Sequence, residues 1–318
     1  MSVWLLTDGA MDAHVAPGHP ERPDRREAAA AGVRDAAGDA SMEPAVQAID
    51  EATLTAVHDP AYLELLDSIE ERGGGWLDPD TYVVPGSMRA ARLAAGATLQ
   101  AAIAVVGGDA AVAFAVVRPP GHHASSGRGN GFCLLNNTAI AVAGLRARGL
   151  ARRIAIVDWD VHHGDGTQAI FTADADVCYA STHQSPFYPG TGDRAETGLG
   201  EAAGTKHNRP LPAGAGDRAF IGAWQDDLFP AIEAFGPEAI VVSAGYDAHV
   251  ADPLAHLEVT DAGFGEVARQ LGSMSARLGL AGVALTLEGG YDLDALRASM
   301  SATVRGILDG RRATAATG

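Results

Sequence analysis

One pattern constrains the fold more than any other: an apolar run of strand length breaks off into chemically active polar residues, and a helical stretch follows. Arg153 to Val157 runs into Asp158-Trp159-Asp160-Val161-His162-His163-Gly164-Asp165, Ala239 to Ser243 into Ala244-Gly245-Tyr246-Asp247, and Gly282 to Leu287 into Glu288-Gly289-Gly290-Tyr291. Upstream, the run Ala110 to Val117 ends in Arg118-Pro119-Pro120-Gly121-His122-His123. Helical patterns are expected over 87–106, 217–235 and 261–278, with a last helix ending near Leu308. Strands alternating with helices predict a mostly parallel sheet wrapped on both faces, a three-layer α/β/α architecture. No linker or repeat divides the chain, so residues 1–310 are read as a single domain and 311–318 as a frayed tail. Ser181 to Lys206 and Arg72 to Tyr82 are expected to be long irregular loops, and such loops tend to rim a site.

Composition narrows the function. Of 318 residues 47% are hydrophobic, enough for a large core, and the formal charge is −17 with Lys206 the only lysine. That balance carries no footprint for direct nucleic-acid binding, and it suits a cationic substrate electrostatically. Cys133 and Cys178 both sit in apolar context, which implies a reducing, cytoplasmic setting rather than a disulfide framework. Val3-Trp4-Leu5-Leu6 reads as a first strand and not a signal peptide, and no run is long enough for a membrane span. Gly73 to Tyr82 is long enough to pack between subunits of a homo-oligomer.

In open parallel sheets, ligands bind beyond the carboxyl ends of the strands, and all four polar clusters fall there. Side chains alternate in extended backbone, so Asp158, Asp160 and His162 project to one side while Trp159 and Val161 project to the other. Asp160, His162 and Asp247 would offer a metal two carboxylate oxygens and one imidazole nitrogen and leave a position open, which is the pattern of a catalytic zinc and not a closed structural one. The adjacent His122-His123 pair suits proton transfer, one imidazole serving as base and then acid while the other stays protonated. Asp158 and Asp165 are spare carboxylates able to orient them. Tyr291 could donate a hydrogen bond to a developing oxyanion, worth about 3 kcal/mol in comparable sites. Singly, a His-His pair or an Asp-x-His is more often core or surface than catalytic. Together, at one edge of one sheet, they point to metal-assisted amide hydrolysis.

These residues carry a specific resemblance. Arg118 to Ala124, Gly131-Phe132-Cys133-x-x-Asn136-Asn137, Asp158 to Gln168, Ala244 to Asp247 and Glu288 to Tyr291 resemble the zinc-dependent histone deacetylase family in order and spacing from about His19 to the last helix. The Leu-Glu-Gly-Gly-Tyr form and Asp252-Pro253-Leu254 are most similar to its class II branch and the bacterial deacetylase-like amidohydrolases. The resemblance implies the arginase/deacetylase fold, Zn2+ on Asp160, His162 and Asp247, and an acylated lysine peptide or acetylated amine as substrate. It implies His123 as general base and acid paired with Asp165, His122 as the assisting imidazole paired with Asp158, and Tyr291 polarising the acyl carbonyl. It further implies a substrate tunnel between Phe132 and Tyr188 with Gly131 and Leu254 nearby. A structural K+ is implied on Asp158, Ser181, Thr182 and the Asp160 and His162 backbone. Tyr188 stands where Phe is common, and Arg209 where an apolar residue is usual.

Three rival readings remain at this stage. Acetylpolyamine amidohydrolysis is the same chemistry on a free cationic amine; the apolar Leu254 speaks against the version with an acidic residue there, while Asp78, Asp80 or Glu196 could reach the mouth. A non-catalytic binder of acylated ligands is disfavoured by the intact constellation. Binuclear manganese chemistry wants more Asp and His ligands than this edge offers.

Overall fold

The structure, a computed structural model, describes residues 1–316. Its centre is an eight-stranded sheet whose pairings are all parallel, in the order β2-β1-β5-β10-β9-β6-β7-β8. The strands are β1 (Val3–Leu6), β2 (Ser41–Met42), β5 (Val112–Ala115), β6 (Ile154–Asp158), β7 (Val177–Gln184), β8 (Lys206–Leu211), β9 (Ala239–Ala244) and β10 (Val283–Leu287). A separate antiparallel pair, β3 (Gly75–Trp76) with β4 (Tyr82–Val83), closes the loop expected at 72–82 into a hairpin.

Strand alternation sorts side chains into two cores. Ile154 and Ile156 of β6 face one, together with α3 (Pro60–Glu71), α4 (Ser87–Val106) and α5 (Asn137–Ala147). Ala155 and Val157 face the other, together with α1 (Asp24–Ala37), α8 (Phe229–Phe235), α9 (Asp261–Arg277) and α10 (Leu293–Ala315). The alternation continues past the strand: Trp159 and Val161 pack into this second core. Three short helices complete the chain, α2 (Glu51–Thr55), α6 (Asp165–Phe171) and α7 (Asp217–Ala223). The expected single helix over 217–235 is interrupted by a wide turn at Trp224–Leu228, just ahead of Pro230, which has no N–H to continue the ladder.

Three further expectations are corrected. The polar stretch Ser181 to Gln184 belongs to β7 rather than a loop, and Lys206 to Leu211 is a strand with no apolar run to announce it. As the edge strand β8 needs only partly buried side chains, which also accommodates Arg209: its guanidinium reaches Asp227 at 2.6 Å. The buried Lys206 ammonium donates to the carbonyls of Asp174 (3.2 Å) and Val177 (2.7 Å). The tail does not fray at 311, because α10 continues to Ala315 and Arg311 donates to the carbonyls of Leu280 and Ala281 (2.9 and 2.8 Å). Residues 317–318 lie outside the described part. No helix among the described residues is long and apolar enough to cross a membrane.

Candidate active site

The loops after β5, β6, β9 and β10, four adjacent strands, meet at the carboxyl edge of the sheet. The Asp160 and Asp247 carboxylates face the His162 imidazole, with Nδ1 3.1 Å from Asp160 Oδ1 and 3.2 Å from Asp247 Oδ2. One donor atom from each of the three lies within 4.8 Å of the others. Backbone amides aim the carboxylates: Gly289 N–H donates to Asp160 (2.8 Å) and Val161 N–H to Asp247 (2.9 Å). A Cβ on Gly289 would overlap the Asp247 carboxylate, so the Gly-Gly turn is what leaves room for this cluster. Burial opposes charge on His162, yet the two carboxylates outweigh it and raise its pKa to about 10.

Asp247 Oδ2 is buried and makes no hydrogen bond of good geometry, only the 3.2 Å approach of His162 Nδ1. A buried carboxylate oxygen left this way beside a second buried carboxylate and an imidazole is the arrangement of a cation site. The donor set, two oxygens and one nitrogen, fits zinc with a position left open. Near Asp158, the Ser181 hydroxyl donates to His183 Nδ1 and the Thr182 hydroxyl accepts from Trp224, so each oxygen keeps a lone pair for the implied potassium.

Beside the cluster stand the two imidazoles, each with Nδ1 held by a carboxylate: His122 on Asp158 at 3.2 Å and His123 on Asp165 at 2.7 Å. Their environments push them apart. Burial disfavours charge on His122, but the nearby Asp160 and Asp158 charges overcome it and hold its pKa well above the usual value. For His123, burial and then the charge on His122 win over the Asp165 hydrogen bond, pulling it down to about 4. Tyr179 also donates to Asp158 (3.0 Å), so that carboxylate is shared. Tyr291 has its phenol pushed up by burial.

His122, His123, Asp160, His162 and Tyr291 line one cavity of about 280 Å³, together with Gly131, Phe132, Tyr188 and Leu254. Phe132 holds φ at +70°, a left-handed conformation that costs a bulky residue about 1–3 kcal/mol. The Thr81 hydroxyl accepts its N–H at 3.0 Å. The strained backbone places the ring edge-on to Tyr291, centroids 5.8 Å apart. Across the cavity Tyr188 meets the His123 ring edge-on at 5.2 Å.

Three features were missed in the sequence. Phe187 also lines the cavity and stacks on His162 at 5.5 Å; its position beside Tyr188 between two prolines was the available signal. Glu21 is fully buried and accepts from Arg118 (2.5 and 2.6 Å) and Arg25 (3.1 Å). Arg25 in turn lies 4.7 Å over the Tyr291 ring and donates to the Gly290 carbonyl at 2.5 Å. His163 is buried and bonded to Thr191 (2.8 Å) and Gln168 (3.2 Å), consistent with packing.

A family model of the histone deacetylase domain matches residues 19–307. A probable deacetylase from Methanothermobacter thermautotrophicus is 41% identical over 96% of this chain and 90% of its own length. A histone deacetylase-like amidohydrolase from Pseudomonas aeruginosa is 37% identical over 91% of this chain and 77% of its own. Some plant histone deacetylases that match are longer: the chain spans 53% of one from Arabidopsis thaliana. Among solved structures, the acetylpolyamine aminohydrolase of Burkholderia pseudomallei superposes with TM-score 0.87 at 32% identity, covering 96% of this chain and 98% of that one.

Proposed function

The chain belongs to the histone deacetylase family, and we propose that it is a zinc-dependent amidohydrolase removing a short acyl group, acetyl foremost, from acylated lysine side chains. One observation carries the reading: Asp160 and His162 of the three-donor cluster, the two carboxylate-held imidazoles and Tyr291 all border one cavity.

Asp160, His162 and Asp247 would hold a zinc ion, which would supply Lewis acidity to the acyl carbonyl and to water. The remaining steps belong to the chain. His123, neutral and oriented by Asp165, takes a proton from the attacking water at Nε2 and later returns it to the departing amine nitrogen. His122 keeps its proton against Asp158 and lends positive charge where negative charge develops. Tyr291 donates its phenolic hydrogen to the carbonyl oxygen as that oxygen gains charge. Phe132, Tyr188 and Leu254 sheathe the aliphatic arm of the substrate and exclude bulk water. A K+ on Asp158, Ser181, Thr182 and the adjacent main chain would brace the loop that bears Asp160 and His162. Two buried free cysteines suit a cytoplasmic protein.

A second reading is favoured by one residue. Asp80 lines the cavity mouth and offers a carboxylate to a free ammonium, as an acetylpolyamine would require. Parallel kcat/KM measurements on an acetyl-lysine peptide and on acetylputrescine with zinc-loaded protein decide between them. A preference for the peptide supports the first reading, a preference for the amine the second, and no turnover of either removes both.

A further inference from the structure

The residue that precedes the Gly-Gly-Tyr turn has no part in the chemistry above, yet it is as deeply buried as any acid of the site. Glu288 directly follows β10 and is fully buried. Its main chain is fixed, the N–H donating to Ala244 O (3.1 Å) and the carbonyl accepting from Arg25 (2.5 Å). Its side chain points away from the turn, toward the loop that follows β5, the neighbouring strand. There Oε2 accepts the backbone N–H of Gly121 at 2.6 Å and of His122 at 3.1 Å. Oε1 is buried and has no partner.

Resting on the hydrolytic reading, we infer that Glu288 is a positioning residue: one carboxylate oxygen, gripping two successive backbone amides, sets where the His122 and His123 imidazoles emerge. The loop is held elsewhere by its carbonyls, Asn137 Nδ2 donating to Pro119 O (3.1 Å) and Thr167 N to His122 O (3.0 Å). Glu288 anchors the Gly121 and His122 donors at the vertex beside the imidazoles. The task requires an acceptor of the right reach, not a second negative charge. A carbonyl oxygen has two lone pairs and can take both N–H groups, so an amide of the same length can substitute. A shorter carboxylate cannot reach, and small displacements of catalytic groups are costly: about 1 Å can lose ~10²-fold.

The test compares Glu288→Gln with Glu288→Asp, both brought to wild-type metal content, on an acetyl-lysine peptide. Glu288→Gln keeps kcat within about threefold, whereas Glu288→Asp loses about 10- to 100-fold in kcat with KM changed by less than about threefold. Asp equal to or better than Gln, or both matching the wild type, overturns the inference. Should the Asp variant not fold, amide hydrogen exchange of the wild type decides. The Gly121 and His122 amides must be protected and must remain so in Glu288→Gln; rapid exchange at both sinks it. Absence of wild-type turnover defeats the proposed function and leaves this exchange result standing on its own.

Discussion

The Tyr188 hydroxyl accepts a hydrogen bond from the Asn130 side-chain amide at 2.9 Å, joining the two loops that form one seam of the cavity. Burial keeps the phenol protonated, so the tie persists at neutral pH. Tyr188 is itself 43% exposed, so the bond fixes how far the wall can swing. A neutral hydrogen bond is worth about 0.5–1.5 kcal/mol. Tyr188→Phe and Asn130→Ala should each raise kcat/KM for a butyryl-lysine peptide relative to acetyl-lysine several-fold, and the double variant should do no more than either single one. Unchanged acyl selectivity in both singles would show that the tie does not set the tunnel's width.

His123 and Tyr291 act on the reacting atoms in the proposed mechanism, so truncating them removes chemistry without removing metal. General acid/base catalysis contributes about 10²–10⁴-fold, and one oxyanion donor about 10²–10³-fold. His123→Ala and Tyr291→Phe should therefore lose at least about 10²-fold in kcat. Bound zinc, measured by elemental analysis, should remain stoichiometric, because neither residue belongs to the Asp160, His162, Asp247 cluster. Retained turnover in either variant would remove that residue from the mechanism.

Why so much of this site was readable is visible in Asp158 to His162. Period-two alternation decides which side chains reach the cluster, and the packing of Trp159 and Val161 into the core on the far side is the same alternation seen from behind. A local rule thus predicted a tertiary arrangement. Asp247 and Tyr291 were readable for a related reason: each ends an apolar run, and parallel strands bring their ends to one edge. The illegible parts are those fixed by partners distant in sequence. Nothing near Glu21 announces that Arg118, 97 residues on, will neutralise it inside the protein. β8 was missed because its residues answer to an edge position and not to a buried face. The end of α10 was placed short of Ala315 because its support comes from carbonyls about 30 residues upstream, at Leu280 and Ala281.

His58 gives the fold a defined acid limit. Its Nε2 accepts the N–H of Asn136 at 2.9 Å, so Nδ1 carries the proton and faces the Ser126 carbonyl at 3.3 Å. A second proton has no acceptor to meet, and burial lowers the pKa from 6.5 to about 4. The unfolded chain takes up that proton near 6.5, the folded one only near 4. The stability due to a neutral His58 is therefore complete above pH 6.5 and is lost progressively down to about pH 4, by an amount on the order of 3 kcal/mol. His14, lowered to about 4 by burial, adds to the same slope. Urea midpoints should fall between pH 7 and 4.5, and His58→Ala, less stable at pH 7, should show a flatter decline; an equal slope in both proteins would contradict the assignment.

The last prediction concerns the ion network beneath the site. Glu21, Arg25 and Arg118 are all fully buried, and the carboxylate accepts from both guanidiniums. Removing one partner from a buried ionic group leaves charge without water or counter-ion, which costs about 3–5 kcal/mol. Glu21→Ala removes the carboxylate shared by two buried cations, leaving Arg118 only the Asp12 carboxylate at 3.9 Å, and should destabilise by about that much in urea denaturation. The pair Arg34–Glu43 is an internal control, bidentate but with side chains 39% and 43% exposed. Surface pairs of this kind contribute about 0–1 kcal/mol, so Glu43→Ala should shift stability by no more than that. Because Arg25 also lies over Tyr291 and holds the Gly290 carbonyl, the surviving folded fraction of Glu21→Ala should show reduced kcat at unchanged zinc content. A loss below about 1 kcal/mol in Glu21→Ala would mean that the two arginines find other partners and that the network does not brace the turn bearing Tyr291.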